Sequence, residues 1–221
     1  NTVAEHRTLS FYRKSEKLQI NQVNMLAWSK IAEFESDKMK VADFEISKIE
    51  HLKSELQKIF FENFDVKDRT RKLLENFGIK LVYLDKFDKT PIDGFSFWSG
   101  NNPTIALSVR HKRIDNFAFT VLHEIGHIEL HLKDNKERRF VDIIGSKDKD
   151  DFELQADEYA QNSLISHSQW NELVDFYTPL NDDKIFEFGA KHRIHPAIVL
   201  GRACWEMDYY AIKSKIDKTL N

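Results

Sequence analysis

Apolar residues recur at helical spacing along most of this chain, and the exception is a block near its middle. After residues 1–12, which carry no strong periodicity, the positions Leu18, Val23, Leu26, Ala27, Ile31 and Phe34 predict a helix ending near Ser36 and Asp37. Ile46, Ile49, Leu52, Leu56 and Ile59 mark a second helix beginning around Asp43, and no glycine occurs before Gly78. Residues 65–78 read as a third, capped at Asp65 and stopped by Gly78. The pattern then changes. Residues 79–84, 95–98 and 104–109 read as strands, with turn chemistry in 85–94 and a hairpin-like connection over 99–103. Helical spacing returns with Phe117, Val121, Ile125, Ile128 and Leu132. A short strand is expected at 140–144, a charged loop at 145–151, and helices at 151–166, 169–177, 182–191 and 196–207. The architecture this predicts is α+β. Residues 65–221 form a small, mostly antiparallel sheet surrounded by helices, and residues 1–64 form a helical N-terminal arm that packs on it or mediates dimerisation.

The helix after the sheet carries His123-Glu124-Ile-Gly-His127. Residues four apart lie one turn apart on one helix face, so His123 and His127 can reach the same metal ion. Glu124, about 100° further round, falls beside the ion, where it can take a proton from an activated water. A third ligand is needed. A glycine and a third histidine in the longer zinc pattern would fall at Leu130 and Lys133, so that pattern fails. Glu153 and Asp157, one turn apart on the next helix, offer a carboxylate ligand and an acceptor for the outer nitrogen of a ligand histidine. Two histidines and one carboxylate leave a position open for water, the mark of a catalytic rather than a structural site. His131 is the alternative third ligand. Tyr159, His131, Arg110 and His195 are candidates to stabilise an oxyanion or touch substrate. Residues 104–109 are the candidate edge strand for an extended substrate, with an interior strand as the competing reading.

Composition narrows the setting. With 33 basic and 36 acidic residues among 221, a formal net charge of −3 excludes a whole-chain electrostatic grip on nucleic acid. The last two predicted helices have a superficial helix-turn-helix rhythm, but their basic residues are sparse, and direct DNA binding is not expected. Cys204 is the only cysteine, which suits a reducing compartment. No apolar run reaches membrane-spanning length and no signal-peptide pattern opens the chain, so a cytoplasmic protein is expected. The missing initial Met leaves room for an upstream domain.

The ordered set of His123-Glu-Ile-Gly-His127, preceded by Arg113-Ile-Asp-Asn-Phe117 and followed by Glu153-x-x-Ala-Asp157-x-Tyr159-Ala160, resembles the ImmA/IrrE family of bacterial metallopeptidases. The segments Asn101-Asn-Pro-Thr-Ile-Ala-Leu107 and His195-Pro-Ala-Ile-Val-Leu-Gly-Arg202 are similar to members attached to Xre-type regulators or antitoxins. The resemblance spans roughly residues 66 to 205. It implies a zincin-like fold, one Zn2+ per chain (or Mn2+) on His123, His127 and Glu153, and Glu124 as the catalytic glutamate. It further implies an intracellular regulatory protease acting on a protein partner such as an Xre-type repressor, often under stress. The rival expectation is a non-catalytic zinc-binding or sensing module of a regulator or toxin–antitoxin complex.

Overall fold

The structure is a computed structural model and describes residues 21–108, 112–143, 150–207 and 213–221. Among these residues, α1 (Gln22–Asp37), α2 (Ile49–Glu62) and α3 (Val66–Asn76) precede strands β1 (Lys80–Leu84), β2 (Ile92–Ser99) and β3 (Asn102–Ser108). Then follow α4 (Ile114–His127), β4 (Phe140–Ile143), α5 (Asp151–Leu164), α6 (His167–Tyr177), α7 (Asp182–His192) and α8 (Pro196–Glu206). The segment 144–149, which includes most of the expected charged loop, lies outside the described residues, as do 1–20.

The four strands run in the order β1-β3-β2-β4, with β1 and β3 parallel and the other two ladders antiparallel. β3 is therefore interior. The expectation that 104–109 forms the substrate edge is overturned: residues 104–107 pair on both sides, and among the described residues the outer strand on the β2 side is β4. An almost wholly apolar strand such as Pro103–Leu107 marks a central position, because both of its faces are covered.

Strand alternation divides the sheet between two cores. Leu81, Ile105 and Leu107 face the main core with α2, α3 and α4. Val82, Ala106, Phe95 and Phe97 face the other way, onto Met25, Trp28 and Ala32 of α1. The predicted stripe of α1 proves to be the wrong face: Val23, Leu26 and Phe34 are more than half exposed, and Met25, Trp28, Ala32 and Ser36 are buried. Two apolar stripes at helical spacing run along this helix. The one carrying Trp28 wins, because the indole fills the outer sheet face and its Nε1 donates to the Asp85 carbonyl at 3.0 Å. Asp65 also departs from expectation. It takes a left-handed conformation at the start of α3 and makes no capping bond with its side chain.

Truncating Trp28 to Ala should cost about 3–5 kcal/mol of stability, since it empties a fully packed indole site. Thermal or urea unfolding reads this directly; an unchanged midpoint would mean that α1 is an appendage rather than part of the sheet's packing.

Candidate metal centre

Helix α4 lies across the inner face of the sheet with nearly every residue buried, His123, Glu124 and His127 included. The predicted stripe of Phe117, Val121, Ile125, Ile128 and Leu132 is fully packed. After His127 the helix widens into a π turn, Ile128–Leu132, closed by Lys133 N–H donating to the Ile128 carbonyl. Such turns recur at functional sites.

Nε2 of His123 and Nε2 of His127 stand 3.0 Å apart. The Glu153 carboxylate completes the group, with Oε2 3.4 Å from the first ring and Oε1 3.5 Å from the second. Zinc–ligand bonds of about 2.0–2.1 Å in a tetrahedron put neighbouring donors roughly 3.3 Å apart. The three donors already hold that spacing, so these residues fit a divalent ion. Glu153 reaches the site because Asp150 caps α5, accepting from the Glu153 N–H at 3.0 Å and fixing the first turn. One turn on, Asp157 Oδ1 lies 3.0 Å from Nδ1 of His123, which leaves Nε2 for the ion.

The close approach of α5 to α4 depends on Gly126. A Cβ there would meet the Tyr159 ring at 3.0 Å. Tyr159 packs on that glycine and donates its hydroxyl to Glu129 Oε2 at 2.6 Å, so it serves the helix contact rather than an oxyanion. His131 puts Nδ1 3.1 Å from Nδ1 of His127, on the side of that ring away from His123, while its Nε2 meets Gln155 Oε1 at 3.0 Å. Burial holds the His131 pKa below the usual imidazole value, against Gln155. It therefore orients His127 instead of joining the donor set. His195 caps α8 and lines a separate cavity of about 250 Å³. Arg110 lies outside the described residues.

Four residues of the site were not foreseen from sequence, and all are set by the register of β2 and β4. Gly94 and Ser96 pair with Asp142 and Phe140 respectively, so these four share the face toward α4. A bulge between Ile92 and Gly94 turns Ile92 to the outer core while Gly94 faces the helix. A Cβ at Gly94 would stand 1.8 Å from Glu124 Oε1, so only glycine leaves room for that carboxylate. Ser96 donates its hydroxyl to Glu124 Oε2. The Phe140 ring stacks on His127 with centroids 4.4 Å apart. Asp142, Glu124 and His123 each bring a donor atom within 4.8 Å of the others. Only the Asp93-Gly94 turn dipeptide hinted at this in the sequence, and it read as a loop.

Burial pushes the Glu124 carboxyl up to about 8, against His123 and Ser96, with Asp142 and Glu153 adding to the rise. For His123, burial acts downward, but Asp157 and Glu153 outweigh it and lift the imidazole to about 10. A cavity of about 570 Å³ opens beside Asp157, lined by Phe119, Thr120, Leu164, Ile198 and Trp205 among others.

A family model described as the IrrE N-terminal-like domain, Peptidase_M78, matches residues 74–188. The chain belongs to this family. The match runs from the end of α3 through the sheet and metal centre to α7, so the IrrE-like region contains every donor described above. None of the curated proteins compared matches the chain. Family and site together make this a metallopeptidase-like protein in which His123, His127 and Glu153 form a cluster that could hold a metal ion. Among the described residues no helix is long and apolar enough to cross a membrane.

Two outcomes follow from this geometry. With His123 held near 10, the metal-free ring is protonated at pH 7.5 and must lose that proton to become a ligand. Zinc uptake should therefore release about one proton from this ring, joined below about pH 8 by the proton of Glu124, and apparent affinity should rise about tenfold per pH unit between about 8 and 10 and more steeply below. Calorimetry in buffers of different ionisation enthalpy measures both, and uptake without proton release would contradict the assignment. Asp157→Ala should weaken zinc binding about 10–100-fold in chelator competition, while leaving one ion per chain at saturation.

Proposed function

We propose that the chain is a zinc-dependent protease that hydrolyses a peptide bond in a partner protein, an Xre-type repressor being the partner class implied by its family resemblance. The observation that carries this reading is the pairing of an open three-donor seat with a buried carboxylate beside it. A purely structural site has no use for Glu124, and this chain gives Glu124 a glycine and a serine of its own.

When bound, the ion supplies Lewis acidity, polarising the scissile carbonyl and acidifying water. Glu124 takes the proton of the attacking water at its carboxylate and passes it to the leaving amine. Ser96 and the space at Gly94 hold that carboxylate in place, and Phe140 and Phe152 wall His127 and His131 from solvent. An extended peptide can add along β4, the outer strand beside the centre. The cavity beside Asp157 then offers mostly apolar walls to one substrate side chain.

Metal analysis and cleavage of an Xre-type repressor, followed by mass spectrometry, test the reading. The wild type should hold about one zinc per chain and cut one bond. Glu153→Ala should lose the metal. Glu124→Gln and Gly94→Ala should keep it yet fall by at least about a hundredfold in rate, the scale of a lost general base. A metal-free wild type, or Glu124→Gln cutting at full rate, would overturn the reading.

A further inference from the structure

The sheet assembles a second group of donors one strand away from the first. Asp142 stands on β4 opposite Gly94, on the face turned to α4, with a carboxylate oxygen within 4.8 Å of donor atoms of both Glu124 and His123. A separate observation points to a ligand here. Glu124 Oε1 is sealed from solvent, has no hydrogen-bond donor, and occupies the gap left by Gly94. Ser96 satisfies only the other oxygen.

His123 belongs to both groups but can give Nε2 to one ion only, because its Nδ1 faces Asp157. Beside a filled first seat, a second ion would therefore draw on Glu124 and Asp142, two hard oxygen ligands. Oxygen ligands of this kind suit Mn2+ or Mg2+, whereas the two imidazoles of the first seat favour zinc. We propose that Glu124 and Asp142 form a second, weaker seat for a hard divalent cation beside the zinc position, and that filling it withdraws Glu124 from service as the base. This rests on the reading that His123, His127 and Glu153 hold zinc, and it makes the enzyme self-limiting in excess Mn2+.

The test uses the full chain loaded with zinc, titrated with Mn2+ while free Mn2+ is counted by electron paramagnetic resonance. Zinc outranks manganese in affinity for such ligands, so the first seat should stay filled, and elemental analysis after titration checks this. Wild type should bind one Mn2+ per chain. Asp142→Asn and Asp142→Ala should bind it at least about tenfold more weakly, as should Glu124→Gln, all with unchanged zinc content. Thermal melting checks that the variants are folded, and the near-isosteric Asn guards against a packing effect of Ala. Equal Mn2+ binding by wild type and both Asp142 variants, or none by wild type, would overturn the second seat. Loss of zinc from folded Asp142→Asn would overturn it too, by placing Asp142 in the first seat. A wild type that takes up no zinc would fail the reading of the first seat and the second with it. A zinc-filled protein indifferent to Asp142 fails only the second.

Discussion

A carboxylate without solvent exposure is among the costliest groups a protein can hold, at several kcal/mol for the ionised form after relaxation. Glu124 is such a group, with no exposed surface between α4 and the sheet. Much of the surrounding architecture relieves that cost. The β2 bulge turns Gly94 toward the helix and leaves a hollow of carboxylate size, and Ser96 brings a hydroxyl to one oxygen. The alternation that aims Gly94 and Ser96 inward aims Phe95 and Phe97 outward, where α1 covers them. The outer core and the setting of Glu124 are thus consequences of one strand register.

The second constraint is the distance between α4 and α5. Ligands on two helices can share an ion only if the helices pack closely, and Gly126 against the Tyr159 ring sets that approach. The Tyr159–Glu129 hydrogen bond fixes one helix against the other, and the Asp150 cap fixes where α5 begins. With rotation and start point both settled, Glu153 and Asp157 arrive one turn apart at opposite nitrogens of His123. The glycine inside the histidine motif and the tyrosine after the acidic pair are two halves of one contact.

Legibility from sequence follows from how local each feature is. The histidine helix, its core stripe and the Glu153–Asp157 spacing were readable because each is a periodicity within a single element. Glu153 was reachable for the same reason, as a second helix with acids one turn apart. Asp142 and Phe140 were not, because a strand residue becomes a site residue only through its cross-strand partner, and no pattern in β4 records its register with β2. The interior place of β3 is legible only in its nearly unbroken apolar run, which an edge strand can also carry. In α1, apolar residues on two faces gave two valid stripes, and the outer sheet surface chose the one with Trp28.

The electrostatics join these parts. Glu124, Glu153, Asp157 and Asp142 all stand close around His123, a concentration of negative charge that a mostly buried site cannot hold uncompensated. In the metal-free chain, protons do the compensating: His123 keeps one up to about 10 and Glu124 keeps one up to about 8. A divalent ion held by His123, His127 and Glu153 would take over that role. It would displace the proton from the imidazole and make an ionised Glu124 tolerable a few ångströms away. In the proposed mechanism, cation and base would therefore be coupled through one pool of charge, with Glu124 ready to accept a proton only once the ion is in place.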